Sequence, residues 1–194
     1  LETLEAVLFF MASLQNHILI SMPHMQDPFF GASVIFICEH STEGAMGLII
    51  NKRFQEPNLM DLFEQLYVGE KNLLESVPEI FFGGPVLLER GIVLHSSSFT
   101  SEGTVKISDD FSITSQKQIL SELKTAEHIP YKLMLGHAGW GAGQLEREIE
   151  NGDWLLQSTT SDFIFKMPPE QMWKQAAGSL GMDLGHGAGI GGQA

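Results

Sequence analysis

Hydrophobic residues in this chain occur in short runs, separated by polar or glycine-rich segments. Short runs rich in β-branched and aromatic side chains are typical of β-strands. The pattern predicts strands over residues 17–22, 33–39, 45–51, 79–82, 92–94, 105–107, 133–135, 154–157 and 163–166. The turn residues Ser41-Thr42-Glu43-Gly44 separate two of these runs and so predict an antiparallel hairpin.

Other segments carry apolar residues three and four positions apart, which is the spacing of one helix face. They predict helices over 58–67, 115–126, 144–151 and from Pro168 to Leu180. Ser115 and Gln118 form a capping box at the start of the second helix, and proline favours the start of the last. Strands and helices therefore share the chain.

The segment from Lys132 to Trp154 joins a predicted strand, a loop with glycines at 136, 139, 141 and 143, and a predicted helix. A glycine loop before a helix can hold an anion, or it can be a tight turn, here packed by Trp140. No Lys-Ser/Thr pair follows, and Gln144 replaces the third glycine of a dinucleotide fingerprint. The turn is the favoured interpretation. The glycine motif at 187–192 lacks both a preceding strand and a following helix.

Composition and charge fit one acidic globular domain. The chain has 194 residues, of which 43% are hydrophobic and 18% charged, and its formal net charge is −13. We predict one domain over 14–181, with a poorly ordered extension at 1–13 and a flexible glycine-rich tail at 182–194. The chain begins with Leu, and the natural domain is expected to start near Met11 or Ser13.

Charge and cysteine usage limit which binding partners and which cellular compartment we expect for this protein. The eleven Lys and Arg residues are scattered, which argues against direct binding of nucleic acid. The apolar run at 6–12 is short and has acidic flanks, so it predicts neither a signal peptide nor a membrane span. Cys38 is the only cysteine, which excludes an intrachain disulfide and a Cys-based zinc cluster. These features predict a cytoplasmic protein.

Candidate chemistry lies at strand ends. Cys38 and His40 are two residues apart, which predicts one strand face on which a histidine could activate the thiol; a buried hydrophobic cysteine is the favoured interpretation. A metal site assembled from His40, His95 and His137 with Glu39 is a further alternative to structural histidines. Glu146 and Glu150 are interpreted as solvated helix positions. No Walker, G-x-S-x-G, H-E-x-x-H or EF-hand motif is present.

Several long, ordered motifs extend across the chain from residue 14 to about residue 181. They comprise residues 14–23, 26–34, Cys38-Glu39-His40, 44–52, Gly83-Gly84-Pro85-Val86, 90–96, 139–146 and Trp154. Together these motifs resemble the bacterial YqgE/AlgH family. The resemblance implies a compact cytosolic α/β (α+β) domain with a bulged, partly barrel-like, mostly antiparallel or mixed sheet and about four flanking helices.

The resemblance implies little about chemistry. Members are commonly labelled transcriptional regulators, but this sequence has no helix-turn-helix, so any such role is expected to act indirectly through a small ligand or a protein partner. We predict a binding or regulatory module without cofactor or metal, and without direct contact to nucleic acid or membrane. The alternative is a thiol-dependent or metal-dependent hydrolase or a redox enzyme using Cys38 and His40.

The predicted binding residues combine strand-end polar groups with glycines, since a scaffold usually displays function where its strands end. We expect them to line one pocket. They are Cys38, Glu39, His40, Asn51, Lys52, Gly83, Gly84, Pro85, His95, Gly139, Trp140 and Gln144.

Overall fold

A computed structural model of the chain describes residues 12–54 and 79–181. Within these ranges the chain forms nine strands and four helices. The strands are β1 (His17–Ser21), β2 (Val34–Ser41), β3 (Gly44–Ile49), β4 (Ile80–Phe82), β5 (Val86–Ser96), β6 (Val105–Lys106), β7 (Phe111–Thr114), β8 (Tyr131–Gly141) and β9 (Trp154–Ser158). The helices are α1 (Gln118–Thr125), α2 (Gln144–Glu150), α3 (Ser161–Lys166) and α4 (Pro169–Ser179).

The strands form one curled sheet in the order β6-β7-β5-β8-β3-β2-β1-β9, and β4 pairs with β8 outside this path. The β4–β8 pairing is parallel, and the other strand pairings are antiparallel. A register shift between Val86 and Gly91 on β5, and another on β2, bend the sheet. The predicted fold class, a bulged and mostly antiparallel α/β domain, is confirmed.

Strand β8 is the centre of this sheet because it contacts three other strands. It pairs with β5 and β4 along its first half and with β3 along its second. The chain between β4 and β5 runs close against it: a Cβ at Gly83 would lie 2.2 Å from the carbonyl oxygen of Gly136. The two halves of β8 therefore have different neighbours: β4 and β5 pair with the first half, and β3 pairs with the second.

The two faces of the sheet bury separate apolar clusters. Along β2 the side chains alternate, so that Phe36 packs in the first cluster with α4, whereas Ile35 and Ile37 pack in the second. The second cluster also contains Trp140 of β8 and Leu145 of α2. A third, smaller cluster lies between α1, β5 and β8. Residues that are neighbours in sequence therefore lie in different parts of the core.

The predicted hairpin is confirmed, with β2 and β3 paired from Ile35 opposite Ile49 to Ser41 opposite Gly44. The strand predicted at 163–166 is wrong, because these residues belong to α3. Thr160 caps this helix by accepting a hydrogen bond from the Phe163 N–H, and that bond satisfies one donor of its first turn. The capping box at Ser115 is also wrong, since α1 begins later with Lys117 at its N-cap and no side-chain cap bond.

Other predictions lie partly beyond the described ranges. The helix predicted at 58–67, the tail at 182–194 and most of the extension at 1–13 fall outside the described residues, so the domain boundaries stay a prediction. Strand β7 was missed because its residues follow a polar stretch rich in turn residues. Across 12–54 and 79–181, every helix is too short or too polar to traverse a bilayer.

Candidate functional site

The tip of the β2–β3 hairpin borders an open cavity of about 490 Å³. His40 pairs with Ala45, which in turn pairs with Trp140 of β8, so these three residues form one row across the sheet. The lining combines acidic, aromatic and thioether groups. The lining residues include Gln15, Glu39, His40, Glu43, Ala45, Met46 and Trp140.

A β-bulge at Cys38 decides which side chains reach this cavity. The register shifts between Ile37 and Glu39, so the side chain of Cys38 enters the first cluster, whereas the row that contains His40 and Trp140 faces the second. The prediction that Cys38 and His40 share one strand face is therefore wrong. The extra residue of the bulge breaks the alternation on which that prediction rested.

Cys38 is a buried thiol rather than an accessible one. Only 1% of the residue is exposed, and burial, together with the nearby charge of Glu39, raises the pKa of the thiol. The Sγ atom lies 3.9 Å from the carbonyl oxygen of Phe36. The thiolate, which is the nucleophilic form, is thus strongly disfavoured in the folded protein.

We expect Cys38 in the folded protein to react with a disulfide reagent at least ~100-fold more slowly than free cysteine at the same pH, because the thiol must first be exposed and ionised. The measurement is the rate of thiol release monitored with Ellman's reagent. Addition of urea above the unfolding midpoint should restore the rate of free cysteine. A native-state rate equal to that of free cysteine would contradict the burial of this side chain.

His40 is held by hydrogen bonds at both ring nitrogens. Its Nδ1 accepts from the N–H of Leu14 at 3.0 Å, so Nε2 carries the hydrogen and donates to Oε1 of Glu146 at 2.5 Å. Partial burial by itself raises the pKa of Glu146, but the hydrogen bond from His40 and the nearby charges lower it below its usual value. The interpretation of Glu146 as a solvated carboxylate is wrong. Glu146 instead ties α2 to the hairpin.

Glu148 ties the same helix to two tryptophans. Its Oε2 accepts hydrogen bonds from Nε1 of Trp140 and Nε1 of Trp154, both at 2.9 Å, and Oε1 accepts from Nε2 of Gln144 at 2.9 Å. The two indole rings meet edge to face at 6.3 Å. Sequence reasoning missed Glu148, and the two tryptophans at i−8 and i+6 were the only available signal.

The glycine loop before α2 is a tight turn. Gly143 has a left-handed φ of 69°, and the side chain of Gln144 folds back so that its Oε1 accepts from the N–H of Gly141 at 3.0 Å. Gly139 lies exposed on β8 opposite Met46, next to the cavity. The turn therefore positions Trp140 and Gln144 near the hairpin tip.

Asn51 and Lys52 lie at the opposite end of the hairpin from His40. Asn51 accepts from the N–H of Val34 and donates to the carbonyl oxygen of Ala32, both at 2.9 Å. Lys52 donates to the carbonyl oxygen of Gly31 at 2.8 Å. These side chains hold the segment that precedes β2, and they do not reach the hairpin-tip cavity.

His95 and the Gly83-Gly84-Pro85 segment also lie outside the hairpin-tip cavity. The ring of His95 is fully buried, with Nε2 2.8 Å from Oγ1 of Thr114 and Nδ1 2.9 Å from the carbonyl oxygen of Ser96. Burial lowers the pKa of His95, against the raising effect of the Ser96 carbonyl. The two glycines pack under β8, and Pro85 is exposed beside them.

The twelve predicted residues therefore do not line a single pocket. Glu39, His40 and Trp140 meet at the hairpin tip with Gly139 and Gln144 close by, whereas Cys38, Asn51, Lys52, the 83–85 segment and His95 occupy other places. Residues distant in sequence share a cavity only if the sheet register brings them there. In the described part of the chain, no three His, Cys, Asp or Glu side chains are grouped as metal ligands would be.

Fold and cavity together define a single-domain α/β protein built on one curled sheet, with an open cavity bordered by Glu39 and Glu43 at a hairpin tip. The sequence profile of the family described as AlgH-like matches residues 18–185. The chain belongs to this family, which confirms the YqgE/AlgH resemblance.

Two relatives show how far the similarity extends. The UPF0301 protein of Pseudoalteromonas translucida is 39% identical over 176 residues, covering 90% of this chain and 95% of that protein. The UPF0301 protein of Hahella chejuensis is 39% identical over 185 residues, covering 95% and 98%.

Two solved structures share the fold. The solution structure of the AlgH protein from Pseudomonas aeruginosa has a TM-score of 0.70 and 34% identity, covering 94% of this chain and 97% of that one. The crystal structure of protein DIP2367 from Corynebacterium diphtheriae has a TM-score of 0.66, covering 89% and 90%, and at 20% identity it shows the fold alone.

Proposed function

We propose that this protein is a cytoplasmic binding and regulatory module that acts through a small ligand or a protein partner. The observation that carries the proposal is the hairpin-tip cavity, where Glu39, Glu43 and Trp140 border one open space. The site is preorganised, because His40 and Trp140 are fixed to α2 through Glu146 and Glu148. A rigid site loses little conformational entropy when it binds.

The lining favours a ligand with a cationic group. Glu39 and Glu43 are exposed carboxylates, and the described residues that line the cavity include no lysine or arginine. The overall charge of −13 also favours the approach of cations. A basic segment of a partner protein, or a small amine, has the matching chemistry.

Regulation through such a partner agrees with the charge of the chain. Direct reading of DNA requires a basic face that neutralises phosphates, and the excess of acidic residues opposes this. The thiol-enzyme alternative gains no support, since Cys38 is buried and both ring nitrogens of His40 are already hydrogen-bonded. Effects on transcription would then be indirect.

A pair of peptides that differ only in charge tests the proposal. We expect a short arginine peptide to shift the NMR signals of the Trp140 indole and the Met46 methyl, whereas the same peptide with citrulline does not. The double variant Glu39→Gln/Glu43→Gln should weaken binding about 3- to 10-fold, as expected for two exposed charge contacts. Glu150→Gln, an exposed position at the far end of α2, is the matched control.

Two results would overturn the proposal. One is equal binding of the arginine and citrulline peptides, which would show that the cationic group is not recognised. The other is arginine-peptide binding that the double variant leaves unchanged, which would place the binding surface elsewhere.

A further inference from the structure

A second cavity, of about 430 Å³, lies at the other end of β8. Lys132 borders it near the start of the strand, eight residues before Trp140, which is roughly 25 Å away along an extended strand. The rest of the lining comes from the segment that follows β3, from β4 and the residue before it, from the first residue of β8, and from the junction of α3 and α4. The lining includes Arg53, Glu79, Phe81, Tyr131, Lys132 and Glu170.

Lys132 is an unusual lysine because its side chain is buried at the edge of the cavity. Only 7% of the residue is exposed, its Nζ donates to the carbonyl oxygen of Ile50 at 3.3 Å, and it lies 4.4 Å from the ring centroid of Phe81. Within the described ranges no carboxylate lies in ion-pair contact with it. A buried lysine is rarely left without a carboxylate, which makes Lys132 a candidate for a chemical role.

The surroundings shift the protonation of this amine. Burial lowers the pKa of Lys132 to about 8; Glu79 opposes the shift, and Arg53 adds to it. Of the two other charged groups that line the cavity, Lys166 is ion-paired with Asp162 at 2.9 Å, and Glu170 contacts Arg53 at 3.4 Å. A lysine with such a pKa is about half neutral at pH 8, and the neutral amine is the nucleophilic form.

We propose that Lys132 is the reactive amine of a second site, which binds small 2-oxo acids as a Schiff base. Arg53 lies on the same cavity and supplies the charge for the carboxylate of such a ligand. It contacts Glu79 at 2.7 Å and Glu170 at 3.4 Å. The second contact is long, and the Glu170 side chain is 63% exposed, so a ligand carboxylate can replace it. The buried Nε of Arg53 has no hydrogen-bond partner in the described structure.

Formation of this Schiff base is a condensation that needs neither an oxidant nor a reductant. The lone pair on Nζ forms a C–N bond to the ligand's carbonyl carbon, and the carbonyl π electrons move to the oxygen, which takes up a proton as the nitrogen releases one. The hydroxyl of this carbinolamine takes up a second proton and leaves as water while the nitrogen lone pair forms the C=N bond, and loss of the last N–H proton gives the neutral imine.

Reductive trapping on the full chain tests the inference. Limiting glyoxylate with cyanoborohydride at pH 8 should label Lys132 at least ~10-fold faster than the exposed Lys106, Lys124 and Lys174, because burial lowers the pKa of Lys132 toward that pH. Peptide mapping by mass spectrometry measures the relative rates. In urea above the unfolding midpoint the preference should disappear. Labelling of Lys132 no faster than that of the three exposed lysines in the folded protein would overturn the proposal.

A neutral aldehyde separates amine reactivity from carboxylate recognition. Glycolaldehyde is similar in size to glyoxylate and lacks the carboxylate, so the ratio of the two labelling rates at Lys132 reports on Arg53. We expect Arg53→Gln to lower this ratio about 3- to 10-fold, as for the loss of one charge-assisted contact. Any change in the basicity of Lys132 cancels in the ratio. A ratio that Arg53→Gln leaves unchanged would overturn the assignment of 2-oxo acids as the ligand class.

Discussion

Replacement of Gly84 by alanine is expected to lower the free energy of unfolding by about 2–4 kcal/mol. Gly84 has a φ of 150°, which an L side chain rarely adopts, and a Cβ there would lie 2.1 Å from the carbonyl carbon of His137. That atom belongs to the backbone of β8, so only movement of the central strand can relieve the clash. Urea denaturation followed by circular dichroism measures the loss.

Gly139→Ala is the matched control for this prediction. Gly139 lies on β8 two residues beyond His137, and a Cβ there would meet nothing within 4 Å. We expect the unfolding free energy of this variant to stay within about 0.5 kcal/mol of the parent. Equal stability of the Gly84→Ala and Gly139→Ala variants would show that the 83–85 segment does not pack closely on β8.

Glu148→Ala is expected to cost about 2–4 kcal/mol of stability, because two indole N–H groups in the core lose their acceptor together. Trp140 and Trp154 are only 8% and 3% exposed, so little water can replace the carboxylate. Thermal or urea unfolding measures the effect. We also expect the tryptophan emission to shift to longer wavelength as the two rings loosen.

Glu150→Ala on the same short helix serves as the control, since Glu150 is exposed. Its effect should be below about 0.5 kcal/mol, as for most surface substitutions. If both variants lose the same small amount, Glu148 does not hold the two tryptophans in place.

The two proposed sites lie at opposite ends of β8, and each cavity is lined by its own set of polar side chains. The described lining of the hairpin-tip cavity has carboxylates and no lysine or arginine, whereas the Lys132 cavity combines Arg53, Lys132 and Lys166 with Glu79 and Glu170, so the two cavities differ in charge. A single strand connects them, but their lining residues are different. The two proposals can therefore fail independently.

Much of the fold was predictable from sequence because it depends on local patterns. The alternation in β2 and β3 and the turn residues between them determine the hairpin, and the apolar spacing at 144–151 gives α2 to within one residue. Residues 163–166 show the limit. A short apolar run fits a strand or a buried helix equally well, and the cap supplied by Thr160 together with packing decided for the helix.

The candidate site was only partly predictable, because register and burial are long-range properties. The sequence alone determined the acidic character of the chain, its single cysteine, its family and the strand-end positions of Glu39, His40 and Trp140. Tertiary structure alone placed Cys38 behind a β-bulge, paired His40 with Glu146, and buried Lys132 at a cavity. One extra residue in a strand reverses the face of the residues that follow, and pairing across the sheet, which no local pattern encodes, decides which distant side chains meet.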